Sequence, residues 1–434
     1  MTSSTSTSGA NHDKRAGYSL SLWPQVWRRD ILRLAARRAV GVGRLTRNYS
    51  PTGRELLVRE LDSVSGTLLR SQYGARESLL LLELQDHVQA DAALQMLQRF
   101  SPLPTQVVAA LALGVGPAAG SWAGSVHAGN QVTPLWAIRL VGPGMRHIGA
   151  VHTNRADEAA ATDPRWSRTR GALGAAVWDR VRRSRVAIIG AGRNGSACAF
   201  TLAMLGVSQL VLIDDDSDEL HNLDATPGAT PDGIGQPKVE NRQRALLGLR
   251  PRDLSIATVF ASVLDGAALS ALHDVDLIVT AVDQDAPRLA IASWINGPPY
   301  LGKIHLDIGT GVFHEHGQRV MGGDVRLLLP GEACVACLGG LRDAAEARYR
   351  VNAPPGALPR SPRPAWNQQR MGSLITTNQV AVNLGVQLWL DLVAGRVEQS
   401  RWDQIRWADD GRFGIESRMQ PDVSCEVCRA TRKP

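Results

Sequence analysis

From Arg185 onward, short apolar runs alternate with amphipathic stretches. Arg185–Ile189, Leu210–Ile213, Leu254–Val259, Val275–Val279 and Pro299–Ile304 read as strands, with helices at Asn194–Leu205, Val239–Leu249, Ala267–Leu272 and Asp285–Ile295. Unbroken Val/Ile/Leu runs suit strands covered on both faces. The alternation therefore predicts an α/β fold, a doubly wound, Rossmann-like and mostly parallel sheet. Upstream the pattern is mixed: strands at Leu79–Leu84, Val107–Leu113 and Val132–Leu140 and a helix near Ala90–Phe100 predict a smaller α+β domain over residues 18–150. Trp23, Val26, Trp27, Ile31, Leu34 and Ala35 recur at helical spacing among arginines between Trp23 and Val40. That segment predicts a basic amphipathic helix packed on its own domain, with a membrane-surface or partner helix as the alternative. Residues 1–17, rich in Ser, Thr and Gly, predict a disordered tail; 151–164, small and polar and ending in Asp163-Pro164, predict a linker, which leaves 165–434 as the α/β domain.

Charge sharpens this division. The net charge is +7, and residues 1–50 alone carry +7, so the remaining chain is balanced and has no general attraction for a polyanion such as nucleic acid. No apolar run approaches the roughly 20 residues of a membrane span. Five cysteines in 434 residues are too few for a secreted disulfide scaffold, and residues 1–20 lack the apolar core of a signal peptide, so a cytoplasmic location is expected.

Gly190-Ala191-Gly192-Arg193-Asn194-Gly195 follows the first α/β strand and opens a helix, where glycines permit a tight turn and the helix N-terminus favours a phosphate. Asp214, 19 residues after Gly195 and in the run Asp214-Asp215-Asp216, is placed to bind a ribose. This predicts an adenine nucleotide without choosing between NAD and ATP. Two Cys-x-x-Cys units, Cys334/Cys337 and Cys425/Cys428, lie 87 residues apart and together offer four thiolates, the donor set of a closed structural zinc site. Two local disulfides or four unrelated buried thiols are the alternatives.

Gly235-Gln236-Pro237-Lys238 before a helix and Asp283 after a strand complete a set of motifs. With Arg165-Trp166-Ser167-Arg168, the glycine loop, Asp214-x-Asp216, Asn222-Leu223 and the paired Cys-x-x-Cys, the stretch from about Arg165 to Cys428 resembles the ThiF/MoeB/HesA family, bacterial relatives of ubiquitin-activating enzymes. The resemblance implies ATP-dependent adenylation of the C-terminal carboxylate of a small ubiquitin-like protein ending in Gly-Gly. It implies Lys238 on the phosphates, Asp283 on Mg2+, Asp214 on the ribose, Asn222 near the phosphates, and Arg168 reaching into the partner site of a homodimer. The N-terminal extension and the run Val320–Leu329 resemble the activating proteins of bacterial ubiquitin-like conjugation operons, some of which serve antiviral defence; a conjugating-enzyme partner is then implied. The segment ending Leu140-Val141-Gly142-Pro143-Gly144-Met145 resembles a JAB/MPN-like domain without its His-x-His, which implies an inactive copy.

The sequence departs from the family at two points. After Asn222-Leu223 the family places an arginine, and here Asp224-Ala225 stands; Arg193 and Arg288 are the replacements that spacing offers. The crossover region, about Arg342–Gln369, holds no cysteine, and Cys198 is placed where a small packed residue is expected, so direct transfer from the acyl-adenylate fits better than a thioester. Activation of a sulfur carrier or a peptide, in cofactor or natural-product biosynthesis, remains open. So do a non-catalytic nucleotide- and carrier-binding module and, more remotely, an NAD-dependent oxidoreductase.

Overall fold

The computed structural model describes residues 18–23, 26, 30–31, 33–34, 40–50, 53–64, 70–115, 121–149, 163–250, 252–297, 301–315, 318–353, 372–408, 411–422 and 424–428. The expected tail at 1–17, the linker up to 162 and the crossover stretch 354–371 lie outside the described residues.

The N-terminal sheet comprises β1 (Tyr18–Leu22), β2 (Val40–Ser50), β3 (Gly53–Val64), β4 (Leu79–Gln85), β5 (Val107–Gly114), β6 (Trp122–Ala128), β7 (Gln131–Leu140) and β8 (Arg146–Gly149). Its order is β1-β3-β2-β4-β5-β6-β7-β8, and β1 also pairs with β7, so seven strands close into a barrel and β8 extends it. Alternate residues, among them Leu20, Leu56, Leu80, Leu82, Ala109, Leu111, Val126 and Ile138, form one buried cluster, the face that a closed ring turns inward. The opposite face of β4 and β5 (Leu79, Leu81, Val108, Ala110) packs under α1 (Ala92–Phe100) through Met96, Leu97 and Phe100.

This region was expected to be α+β and is predominantly β. The strands β2, β3 and β6 lack a clean alternation in sequence, and the five-residue β1 is held by parallel pairing to the distant β3 and β7. Trp23, Val26, Ile31 and Leu34 are buried with the barrel cluster, so these residues of the amphipathic segment pack on their own domain; Trp27 and Ala35 lie outside the described residues, and Val40 already opens β2.

The second sheet is built from β9 (Arg185–Ile189), β10 (Gln209–Ile213), β11 (Ser255–Val259), β12 (Leu277–Thr280), β13 (Ile304–Glu315), β14 (Gln318–Leu328), β15 (Arg401–Ala408) and β16 (Phe413–Ser417), in the order β11-β10-β9-β12-β13-β14-β15-β16. The first five are parallel and the last three add antiparallel, so the sheet is mixed rather than mostly parallel. The strand expected from Pro299 begins only at Ile304, because Gly302 at φ +60 leaves the extended conformation where the barrel's Trp23 packs against it.

Helices α2 (Ser167–Leu173), α3 (Ala175–Arg183), α4 (Arg193–Leu205), α5 (Lys238–Leu249), α6 (Gly266–Ala271), α7 (Asp285–Asn296), α8 (Ala344–Asn352) and α9 (Ile375–Ala394) surround it. Val186 and Ile188 pack towards α4 and α9 with Cys198, Leu202, Val386 and Trp389, while their neighbours Ala187 and Ile189 pack on the other face with Leu272 and Ile291. This is the doubly wound arrangement the β9 pattern predicts. Among the described residues no helix is long and apolar enough to cross a membrane.

Candidate functional site

The order β10-β9-β12 places a topological switch between β9 and β12, where an open α/β sheet leaves a crevice beyond its carboxyl ends. Two glycines make that crevice possible. Gly190 has φ +93 and a Cβ there would lie 2.6 Å from the Ala281 carbonyl after β12, and a Cβ at Gly195 would overlap the Gly190 carbonyl. Gly192, at the start of α4, has open space where its Cβ would be, so its backbone is accessible to a ligand.

Asp214 braces this loop: one carboxylate oxygen accepts from Ala191 N at 2.6 Å and the other from Asp216 N at 2.8 Å. Burial holds its carboxyl above the usual range, against the pull of Lys238 and these N–H donors. Lys238 opens α5; its backbone N donates to Asp216 O at 3.0 Å and its Nζ lies 3.1 Å from Asp216 Oδ2. The carboxylate thus aims the ammonium into the crevice. Asp283, exposed beyond β12, joins the same crevice, and the Arg342 guanidinium donates to its carbonyl. Asp285 in turn accepts from the backbone of Arg342 and Asp343 at 2.6 and 2.8 Å, anchoring the segment before α8 to α7.

The resulting cleft, about 1130 Å³, is lined by Gly190, Gly192, Arg193, Asp214, Asp216, Lys238 and Asp283 among others. Of the residues expected at the site, Gly195, Asn222 and Arg168 do not line it. Asn222 is buried in a helix-capping pair with Glu219, whose N–H it accepts at 2.8 Å, and Arg168 is exposed on α2. Ala225 is buried. Arg193 instead reaches Asp224 with two bonds of 2.8 and 3.0 Å and Ser373 O with one of 2.6 Å. Arg288 lines the cleft with its guanidinium already engaged: it donates to Val282 O at 2.9 Å and pairs with Asp307 at 3.2 Å, beside Arg326 at 3.0 Å. Those two guanidinium groups outweigh burial and hold the Asp307 carboxyl below its usual range, whereas burial pushes the neighbouring His305 down to about 4, leaving it neutral.

The four cysteines of the paired motifs come together, with Cys334 Sγ 3.6 Å from Cys425 Sγ and Cys337 Sγ 3.8 Å from Cys428 Sγ. None of the four is in a disulfide, and their sulfurs lie within 4.8 Å of one another, so they are neither two disulfides nor unrelated. Cys198 is fully buried and its thiol is pushed up to about 12 by desolvation, which suits packing and not nucleophilic attack.

A model of the ThiF family matches residues 166–396, more than half of the chain. The chain belongs to the ThiF family. Over 172 residues it is 32% identical to Ubiquitin-like modifier-activating enzyme 5 of Drosophila pseudoobscura pseudoobscura, covering 37% of this chain and 41% of that protein. Over 164 residues it is 34% identical to Molybdopterin-synthase adenylyltransferase of Escherichia coli (strain K12), covering 38% of this chain and 61% of that protein. The chain therefore spans less than two thirds of the length of either relative. A solved structure of E. coli MccB with ATP is similar at 19% identity and a TM-score of 0.47, covering 62% of this chain and 75% of that one.

In this ThiF-family chain the cleft also holds residues the sequence did not single out: Asn194, Thr310, Arg326, Arg342 and Asn378. Only Asn194, inside the glycine motif, carried any signal; the others arrive from distant strands and helices.

Proposed function

We propose that the chain is an adenylyltransferase that uses ATP to activate the C-terminal carboxylate of a small carrier protein or peptide. The observation that carries this reading is the convergence of the glycine loop, the Asp216–Lys238 pair and Asp283 on one cleft at the switch point. A carboxylate oxygen of the acceptor attacks the α-phosphorus, the bond to the bridging oxygen of the β-phosphate breaks, and pyrophosphate leaves. Such a site needs positive charge and alignment more than a strong base. Lys238, held by Asp216, would neutralise the phosphates; the N-terminus of α4 and the open backbone at Gly192 would receive them. Asp214, braced on the loop, keeps lone pairs for the ribose hydroxyls.

Asp283 offers the exposed hard oxygen that suits Mg2+, which would supply charge neutralisation to the phosphates. Arg193, next to Ala225 through Asp224, would take over the missing arginine's contact. The two relatives' names support a ubiquitin-like or sulfur-carrier partner, and we favour a ubiquitin-like protein ending in Gly-Gly. The exposed Arg168 is free to reach a second copy in a homodimer.

The cysteine cluster would hold structural zinc: tetrahedral bonds of about 2.3 Å place thiolates roughly 3.8 Å apart, which the observed separations match. Zinc should co-purify and be lost in Cys334→Ser, as read by elemental analysis. The adenylation reading is tested by ATP–pyrophosphate exchange with a Gly-Gly-ending carrier. Exchange should fall at least about a hundredfold in Lys238→Ala. Carrier binding without exchange in the unaltered chain would favour a non-catalytic binding module.

A further inference from the structure

Where α4, β13 and α9 meet on the cleft, a polar cluster has no part in the chemistry above. Asn194 Nδ2 and Asn378 Nδ2 both donate to Thr310 Oγ1, at 3.0 and 2.8 Å, and Asn378 Nδ2 also donates to Asn194 Oδ1 at 2.5 Å. A hydroxyl that accepts two bonds still has its own O–H to give, and no described residue takes it. The carbonyl oxygen of the Asn378 side chain is buried with no donor, in a residue 2% exposed. Both Thr310 and Asn378 line the cleft. Three elements far apart in sequence thus fix one unused donor, on the half-buried Thr310, beside one unused acceptor on Asn378, whose burial penalises leaving it unpaired.

That pairing is selective about its ligand. Phosphate offers acceptors only and would leave Asn378 Oδ1 unmatched. A residue of an extended chain presents its N–H and C=O to the same side, as strands do in a sheet, and matches both. Asn194 places the cluster at the start of α4, the helix N-terminus that would receive the phosphates.

We propose that Thr310 and Asn378 clamp the backbone of the acyl substrate's penultimate residue, Thr310 donating to its carbonyl and Asn378 Oδ1 accepting its N–H, so that the terminal carboxylate is presented to the α-phosphorus. This rests on the adenylation reading and makes the two side chains positioning residues for an extended C-terminal peptide segment.

The test uses pyrophosphate exchange driven by a synthetic peptide ending in Gly-Gly and by its depsipeptide, in which an ester oxygen replaces the penultimate N–H. With the unaltered chain the ester should raise the peptide KM about tenfold while the ATP KM stays within twofold. In Asn378→Leu the amide peptide should show that same raised KM, and the ester should make no further difference. Thr310→Val should raise the peptide KM separately and preserve the ester effect. Equal KM values for amide and ester with the unaltered chain, a comparison no folding defect can disturb, would overturn the clamp and leave adenylation standing. A rise in ATP KM in place of peptide KM would assign the pair to the nucleotide and overturn it too. No exchange with either peptide, with ATP still bound, would overturn the adenylation reading and the clamp together.

Discussion

The two halves of the molecule each carry an eight-stranded sheet, and they use it in opposite ways. In the N-terminal half, β1 pairs with both β3 and β7, the ring closes, and Leu20, Leu56, Leu80 and Leu111 fill what it encloses. In the C-terminal half the sheet stays open, its order reverses between β9 and β12, and the strand ends leave the cleft that holds Lys238 and Asp283. A closed sheet converts its alternating side chains into core; an open parallel one must leave loops at its carboxyl ends, and these are what carry chemistry. The glycines follow suit: Gly190 and Gly195 after β9 are required by a close approach of backbone, while Gly129 in the turn between β6 and β7 answers only to its φ of +66.

The sharpest way to break the comparison is to add one methyl group on each side. Gly195→Ala should abolish ATP binding in equilibrium titration, because its Cβ would overlap the Gly190 carbonyl. Gly129→Ala, with nothing within 4 Å of its Cβ, should leave ATP binding intact and cost about 1–2 kcal/mol in urea unfolding. Similar losses of ATP binding from both would remove the distinction.

Next in size is the buried ion-pair network in the wall of the cleft. Arg326→Met leaves Asp307, fully buried, with one guanidinium partner fewer and should destabilise the C-terminal half by about 3–5 kcal/mol in denaturant titration. A loss under 1 kcal/mol would mean Arg288 alone satisfies Asp307.

A smaller effect should appear with pH. His305 is buried and neutral, with its folded pKa depressed to about 4 from 6.5. Between those values the unfolded chain binds the proton and the folded chain does not, so stability is full above 6.5 and falls as pH drops towards 4, by about 3 kcal/mol. Asp307, also depressed, loses its contribution only lower still, as pH falls through its folded pKa below 3.8. His305→Gln should flatten unfolding free energy against pH in the upper window, and an unchanged slope there would refute the assignment.

The sequence made the site more legible than the fold. The glycine loop, Asp214 and Lys238 are local spacings whose meaning needs only the adjacent strand or helix, and the structure brings them to one cleft and the two Cys-x-x-Cys units to one cluster. Asn222 lies outside the cleft lining because the same side chain that suits a phosphate here caps a short helix. The barrel was hidden because β1 must find β3 and β7 across tens of residues, and β2 is interrupted by Gly41, Gly43 and Arg44. The antiparallel half of the second sheet was missed likewise, since β14 and β15 are joined through more than seventy intervening residues. Thr310 and Asn378 become a pair only when β13 and α9 pack.

The most direct test of the central claim is intact-mass spectrometry of a Gly-Gly-ending carrier after incubation with the chain and ATP. The account predicts a carrier bearing one added AMP, formed by the unaltered chain and absent with Asp283→Ala of unchanged melting temperature. An unmodified carrier that nevertheless binds the unaltered chain tightly in the presence of ATP would contradict it.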